Sequence, residues 1–264
     1  MSAFSYSVRA FNTAKASENK IHDDEVAKKF GFGGGLVPGA IVYAYMTHLP
    51  LERWGRAWLK RGTAECRFAK PVYDGDEVSV TATECDGALD IRVECRGVVC
   101  ASGTAALPAA APPPPLADFR DVPQWSSRPP ADEASLAVGT WLGIDPFPVT
   151  SELVAQYVGD VGESSPLYVA EGLLHPVLVP HIGNFALNRN VTLGPWMHVG
   201  SKIQHFAAAR LGDSLSVRAR VVANYEHKGH LFVDLDALIV ANNSTPLART
   251  GHLSIYRPRQ LAAA

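Results

Sequence analysis

The sequence lacks three features that would assign it to common functional classes. No apolar run among its 264 residues reaches the roughly 20 that a helix needs to cross a bilayer, so a membrane protein is not expected. The formal net charge of −2 gives no reason to expect nucleic acid or an anionic membrane as a partner. The N-terminus has no basic start followed by a long apolar stretch. It therefore does not resemble a secretory signal, and a cytoplasmic location is predicted.

Cysteine is scarce and unevenly placed. All four cysteines lie in the first half, at spacings that match no zinc pattern. We therefore expect reduced thiols, no metal site and no disulfide framework. Two of them flank the turn at Gly87, which leaves a disulfide across a hairpin open as an alternative. The four are Cys66, Cys85, Cys95 and Cys100, with Cys85 and Cys95 beside the turn.

What the chain does contain is an internal repeat. Residues 67–80 and 205–217 each read as a Phe, a basic residue and Gly-Asp, followed by an alternating stretch. Their glycines, Gly75 and Gly212, are 137 residues apart, about half the chain length. A repeat of this size indicates two copies of one small domain that bury their faces on each other. An active site is then expected between the copies.

The repeat divides the chain into three predicted parts. Residues 1–108 form a first unit and residues 135–258 a second. Between them, residues 109–134 are rich in Pro and Ala and include four consecutive prolines, Pro112 to Pro115. Such a run favours extended polyproline geometry, so a semi-rigid linker is predicted.

Each unit follows the same order of elements. A short strand is followed by a helical turn, a long helix that is apolar nearly all round (37–46 and 179–187), and then alternating stretches such as Leu89 to Cys95. A helix apolar on every side is buried, and alternation of period two is typical of half-buried antiparallel strands. The predicted fold is therefore α+β, with two antiparallel sheets each wrapped around a buried central helix. The two sheets can join edge to edge, which protects their edges.

This order resembles the MaoC-like, or (R)-specific enoyl-CoA hydratase, branch of the hotdog superfamily, in a fused double-hotdog form. Members carry a motif of the type Asp-x-Asn-Pro-Leu-His, then a Pro or His and a Gly at the start of the central helix. The corresponding segments here are residues 17–24 with 30–39, and residues 157–168. In the first copy Asn19 and His22 match the motif, but Ser17 stands at the acid position and Pro38 at the His before Gly. In the second copy Glu163 takes the acid position and Tyr168 the His position.

The resemblance implies roles for named residues. His22 would be an acid/base group, Asn19 would orient substrate or water, and Glu18 would be a second acid/base group if its loop shifts. The amide of Gly39, at the start of the central helix, would hold the thioester oxygen, and the upstream glycines 33–35 would make room for the acyl tail. The residues expected to bind substrate are Val37, Pro38, Glu163, Tyr168 and His181.

The same residues also fit plainer roles. Ser17 or Asn19 is a suitable N-cap for a helix that begins near His22. Glu163 and Tyr168 can be a structural motif retained in a degenerate copy, and His181 can bond a loop.

The resemblance implies a lyase, a hydratase or dehydratase of an acyl thioester such as acyl-CoA or an acyl carrier. Coenzyme A would enter as part of the substrate, with no other cofactor. Two alternatives stay open: an acyl-CoA thioesterase of the hotdog fold, and a non-catalytic subunit that binds acyl thioesters. The fusion already gives each copy a partner face, and a further homodimer is also open.

Overall fold

The structure is a computed structural model that describes residues 3–261, so Met1, Ser2 and residues 262–264 lie outside the described residues. Within this range eleven strands form one antiparallel sheet. The strands are β1 Ala3–Arg9, β2 Thr63–Phe68, β3 Glu77–Cys85, β4 Ala88–Cys95, β5 Val98–Ala106, β6 Trp141–Gly143, β7 Phe147–Pro148, β8 Met197–His205, β9 Ser214–His227, β10 His230–Ala241 and β11 Thr245–Arg257.

Six α-helices and three short 3₁₀ helices accompany the sheet in the described range. None of these helices is long and apolar enough to cross a membrane. The helices are α1 Asp24–Lys29, α2 Gly39–Trp54, α3 Arg56–Arg61, α4 Ser151–Asp160, α5 Leu167–Glu171 and α6 Leu178–Asn188, with 3₁₀ helices at Lys20–His22, Leu116–Asp118 and Arg259–Leu261.

The sheet consists of two halves with the same internal order. The first runs β1-β3-β4-β5-β2 and the second β8-β11-β10-β9-β6, with β7 attached to β9. The halves meet where β2 pairs with β8, with Ala64 opposite Ile203. This is the predicted edge-to-edge junction, and it removes one exposed edge from each half.

The repeated Gly-Asp motif makes the same turn in both halves. Gly75 and Gly212 have φ values of +77° and +90°, a left-handed conformation that favours glycine. In the first half, Gly75 N–H donates to Ala10 O and Ala10 N–H donates to Asp76 O. In the second, Gly212 N–H donates to Val149 O and Val149 N–H to Asp213 O. The motif therefore ties the end of each unit's first segment to the start of its meander.

Each half curls around one buried helix. In α2 the residues from Ala40 to Thr47 are all buried, as expected for a helix apolar on every side. Helix α6 begins at Leu178, so Pro180 lies in its first turn, where proline is tolerated. The predicted α+β fold with two wrapped helices is confirmed.

The segment between the halves lies against the second half. Phe119 is buried and packs on Leu238 and Val240. Trp125 N–H donates to Asn190 Oδ1 at 2.8 Å. These two contacts anchor the Pro-rich stretch to the body of the protein.

The four cysteines are free thiols. The hairpin disulfide considered from the sequence is not formed, because Cys85 pairs with Ala88 at the turn and Cys95 with Val78 at the far end. Burial raises the pKa of Cys66 to about 12, so this thiol stays protonated.

Candidate active site

Two cavities meet at one polar junction between the halves. One cavity, of about 650 Å³, carries polar side chains including Arg128 and Arg189, and is called the polar cavity below. The other, of about 300 Å³, is lined mainly by apolar side chains and is called the apolar cavity. The residues that line both, and so form the junction, are Asn19, His22, Pro38, Asn184 and Trp196.

At this junction the Asn19 side chain forms hydrogen bonds that connect the two halves. Its Oδ1 accepts from Trp196 N–H at 3.2 Å and from Ile21 N–H at 3.4 Å. Its Nδ2 donates to Trp196 O at 3.0 Å and to His22 Nε2 at 3.2 Å. The Asn19 amide therefore bonds to His22 and Ile21 in the first half and to Trp196 in the second. It also caps the 3₁₀ helix at Lys20–His22. The N-cap role is present, and it serves to position His22.

His22 is held as a neutral imidazole of defined tautomer. Its Nδ1 lies 2.7 Å from the carbonyl of Leu36, so Nδ1 carries the proton and Nε2 the lone pair. Burial lowers the pKa of His22, and the Leu36 carbonyl offsets this in part. A neutral imidazole is the form that a general base requires, and here the Nε2 lone pair accepts a hydrogen bond from Asn19 Nδ2.

Glu18 forms no hydrogen bond with His22. Its side chain is 80% exposed and pairs with Arg128 at 2.9 Å, at the edge of the polar cavity. Arg128 lowers the pKa of Glu18. Ser17, at the position of the family's acid, also lines the polar cavity. Within residues 3–261 no carboxylate forms a hydrogen bond to His22.

The start of α2 presents two unpaired donors. Among the described residues the N–H groups of Gly39 and Ala40 have no hydrogen-bond acceptor, whereas Ile41 and Val42 donate to Pro38 O. Free N–H groups at a helix start carry partial positive charge. Val37, Pro38 and Gly39 all line the apolar cavity, so the unpaired Gly39 N–H lies at its wall, whereas Ala40 is fully buried and lines neither cavity.

Close packing in the structure explains why Gly39 and Gly35 carry no side chain, which the sequence did not reveal. A Cβ on Gly39 would lie 3.0 Å from the Phe68 ring and 3.1 Å from His198 Nδ1, so the missing side chain makes room for these two residues. A Cβ on Gly35 would lie 2.1 Å from His22 O, so Gly35 lets two backbone segments cross closely. Glycines 33–35 line neither cavity.

In the second copy, Glu163 and Tyr168 form a buried cluster that lines neither cavity. Glu163 is 2% exposed, and its carboxylate accepts from His48 Nδ1 at 3.0 Å and from Ser165 N–H at 2.7 Å. His175 Nε2 lies 3.9 Å from Glu163 Oε2. Burial acts to raise the pKa of Glu163, but the two histidines and the Ser165 amide more than offset it and hold the pKa well below its ordinary value.

His181 does line the polar cavity. Its Nδ1 lies 3.3 Å from the hydroxyl of Tyr157, and burial lowers its pKa to about 4. Of the five residues expected to bind substrate, Val37, Pro38 and His181 therefore line the two cavities.

Sequence reasoning missed two of the five junction residues, Asn184 of α6 and Trp196 just before β8. The Asn184 side chain is linked through His252 and Ser201 to His198, on strands β11 and β8. The sequence offered no clear signal for these partners, because β8 lacks apolar alternation and His252 lies on a face of β11 that also buries Thr250 and Ser254.

Comparisons with known proteins agree with this fold. Residues 6–100 match the family described as MaoC like domain. The double-hotdog protein Rv0216 of Mycobacterium tuberculosis superposes with a TM-score of 0.65 at 14% identity, covering 96% of this chain and 95% of that one. A MaoC-like dehydratase superposes with a TM-score of 0.57 at 12% identity, covering 96% and 98%.

A third solved structure carries a bound thioester. The dehydratase domain of PpsC from Mycobacterium tuberculosis, in complex with C12:1-CoA, has a TM-score of 0.52 at 10% identity, covering 97% of this chain and 94% of that one. Identities this low establish a shared fold only. No curated protein sequence matches the chain significantly.

Proposed function

We propose that this chain binds an acyl thioester and reversibly adds water to its Cα=Cβ bond. Support comes from its double-hotdog fold and from the match of residues 6–100 to the MaoC like domain. The dehydratase domain of PpsC, which has the same fold, is in complex with an acyl-CoA. The proposed activity is that of a hydratase or dehydratase.

The observation that carries the proposal is the position of His22, which lines both the apolar and the polar cavity. An acyl-CoA has one apolar end and one polar, phosphate-bearing end. The apolar cavity suits the acyl tail, and the polar cavity, with Arg128 and Arg189, suits the carrier. The thioester and its double bond then lie at the junction, beside His22.

The proposed step uses one acid/base group. His22 Nε2 exchanges its hydrogen bond from Asn19 for one from water, then removes a proton as the water oxygen bonds to Cβ. The π electrons move to Cα and the thioester oxygen, where the free N–H group of Gly39 stabilises the negative charge. The imidazolium then returns the proton to Cα. The net change is the addition of one H₂O, and the reverse sequence is dehydration.

A second candidate is a protein that binds acyl thioesters without turnover. The observation that favours it is the hydrogen bond from Asn19 to His22 Nε2, which occupies the lone pair that a base needs. The outward position of Glu18 favours it as well.

Turnover and binding separate the two candidates. The test measures hydration of crotonyl-CoA and the affinity for butyryl-CoA in the wild type, in His22→Ala and in His227→Ala, an exposed histidine outside both cavities. Hydratase function predicts wild-type turnover that falls about 10²–10⁴-fold in His22→Ala only, with butyryl-CoA binding retained. Wild-type binding with no turnover selects the second candidate. Equal turnover in wild type and His22→Ala removes His22 from the mechanism.

A further inference from the structure

A buried chain of hydrogen bonds runs from β8 to the junction. His198 Nε2 lies 3.0 Å from Gly200 O and 2.9 Å from Ser201 Oγ. Ser201 Oγ lies 3.3 Å from His252 Nδ1. His252 Nε2 lies 3.0 Å from Asn184 Oδ1. His198, Ser201 and His252 are all buried.

The Gly200 carbonyl sets the direction of this chain. A carbonyl only accepts, so His198 Nε2 is protonated and donates. Ser201 Oγ–H can then donate to His252 Nδ1, which leaves the His252 proton on Nε2 to donate to Asn184 Oδ1. Burial lowers the pKa of both histidines, so both are neutral and each has a single ring N–H. Every proton in the chain is assigned.

The chain fixes which end of the Asn184 amide faces the junction. Oδ1 is held by His252, so Nδ2 and its two protons are directed away from the chain. Within the described residues Nδ2 has no hydrogen-bond partner, and Asn184 lines both cavities. The junction therefore contains an oriented donor on α6, in addition to the free Gly39 N–H at the wall of the apolar cavity.

The packing of α6 fits this arrangement. A Cβ on Gly183 would lie 2.6 Å from His252 Nδ1 and 2.8 Å from the ring carbon beside it. Only glycine lets the His252 ring approach the helix so closely. The rings of His198 and His252 stack with centroids 4.1 Å apart, which limits movement of His252 on its other side.

The structure assigns Asn184 Nδ2 as a hydrogen-bond donor to the carbonyl oxygen of the bound acyl thioester, with His252, Ser201 and His198 as the residues that position it. This rests on the proposed acyl-thioester ligand. With the acyl tail in the apolar cavity, the thioester carbonyl is the first acceptor on the carrier side, which places it at the junction. Its oxygen has two lone pairs, one for the Gly39 N–H at the start of α2 and one for Asn184.

The test uses butyryl-CoA labelled with ¹³C at the carbonyl, and compares wild type with Asn184→Asp, which keeps the shape but loses the donor. Asn243→Asp is the matched control, because Asn243 is exposed, lines neither cavity and gains the same charge, and an Asp there still accepts from Arg218. We expect the bound carbonyl resonance of the wild type to move downfield from that of free ligand. Asn184→Asp should lose most of that movement and about tenfold or more in affinity, whereas Asn243→Asp keeps both.

Two further variants address folding and positioning. Asn184→Ala tests the donor without an added charge if Asn184→Asp fails to fold. Ser201→Ala leaves Asn184 in place, and it should reduce the carbonyl shift by a smaller amount than Asn184→Ala does. Its thermal midpoint should fall as well, because buried His252 Nδ1 then lacks its donor.

A wild-type carbonyl resonance and wild-type affinity for butyryl-CoA in both Asn184 variants would overturn the role of Asn184 and leave the proposed ligand class intact. Failure of the wild type to bind butyryl-CoA would overturn both proposals.

Discussion

At the scale of single residues, the site depends on a neutral His22. Because burial lowers its pKa, the base form persists below the ordinary histidine value of about 6.5. We predict that kcat/KM for crotonyl-CoA hydration is flat at neutral pH and falls only as the pH drops through a value below 6.5. The check is a pH–rate profile, and an acid limb centred above 6.5 would contradict it.

Gly35 should be intolerant of any side chain. Its Cβ would lie 2.1 Å from His22 O, a backbone atom that cannot move alone. We predict that Gly35→Ala lowers the free energy of unfolding by about 1–3 kcal/mol. The control is Gly159→Ala in α4, where a Cβ meets nothing within 4 Å and stability should rise by about 0.4–1 kcal/mol. Chemical denaturation measures both. Equal changes in the free energy of unfolding at the two positions would show that the Gly35 backbone does not pack tightly against the His22 carbonyl.

At the same scale, the polar residues of β11 show why sequence reasoning missed Asn184 and its partners. In an alternating strand, apolar residues are expected inside, which would bury Leu253 and expose His252 and Ser254. The structure has the opposite phase here, with His252 and Ser254 buried and Leu253 partly exposed. The buried chain from His198 supplies His252 with partners, and only the three-dimensional pairing of β8, β11 and α6 brings them together.

At the scale of elements, the pair of His48 on α2 and buried Glu163 joins the two halves. The hydrogen bond from His48 to Glu163 raises the pKa of His48, although burial opposes it, and the pKa of Glu163 is held low. The His48 contribution is therefore fully present below about pH 6.5 and is lost as the pH rises through its folded pKa. The Glu163 contribution is present above about pH 4.5 and is lost in acid.

We therefore predict that Glu163→Gln destabilises the protein and flattens the decline of the thermal midpoint above pH 6.5. The control is Glu171→Gln, which breaks an exposed pair with Arg56 and should change stability by about 1 kcal/mol or less. Thermal scans from pH 5 to 9 measure both variants. A pH profile in Glu163→Gln that matches the wild type would contradict a structural role for this pair.

At the scale of the whole molecule, the repeat at Gly75 and Gly212 sufficed to predict two related halves. The turn at each glycine requires positive φ, which favours glycine. Both copies therefore have Gly-Asp at this turn, although most of their other residues differ. Strand β8 was not among the predicted strands. Its inward face carries the polar residues His198 and Ser201, so it lacks the apolar alternation that identifies a strand.

The pairing of β2 with β8, where the two halves of the sheet meet, should be as stable as the interior of each half. We predict that amides of β2 and β8 exchange as slowly as those of β4 and β10, and that those of the edge strands β1 and β6 exchange faster. Hydrogen exchange followed by mass spectrometry measures this. Fast exchange at β8, with β10 protected, would mean that the halves separate in solution.

The central claim is that an acyl thioester lies at the junction of the two cavities. The most direct test is a crystal structure with butyryl-CoA bound. The account predicts an acyl tail in the apolar cavity beside Val37, a carbonyl within hydrogen-bond distance of Gly39 N and Asn184 Nδ2, and a carrier that leaves past Arg128. A ligand bound instead at Glu163, or an acyl tail in the polar cavity, would contradict it.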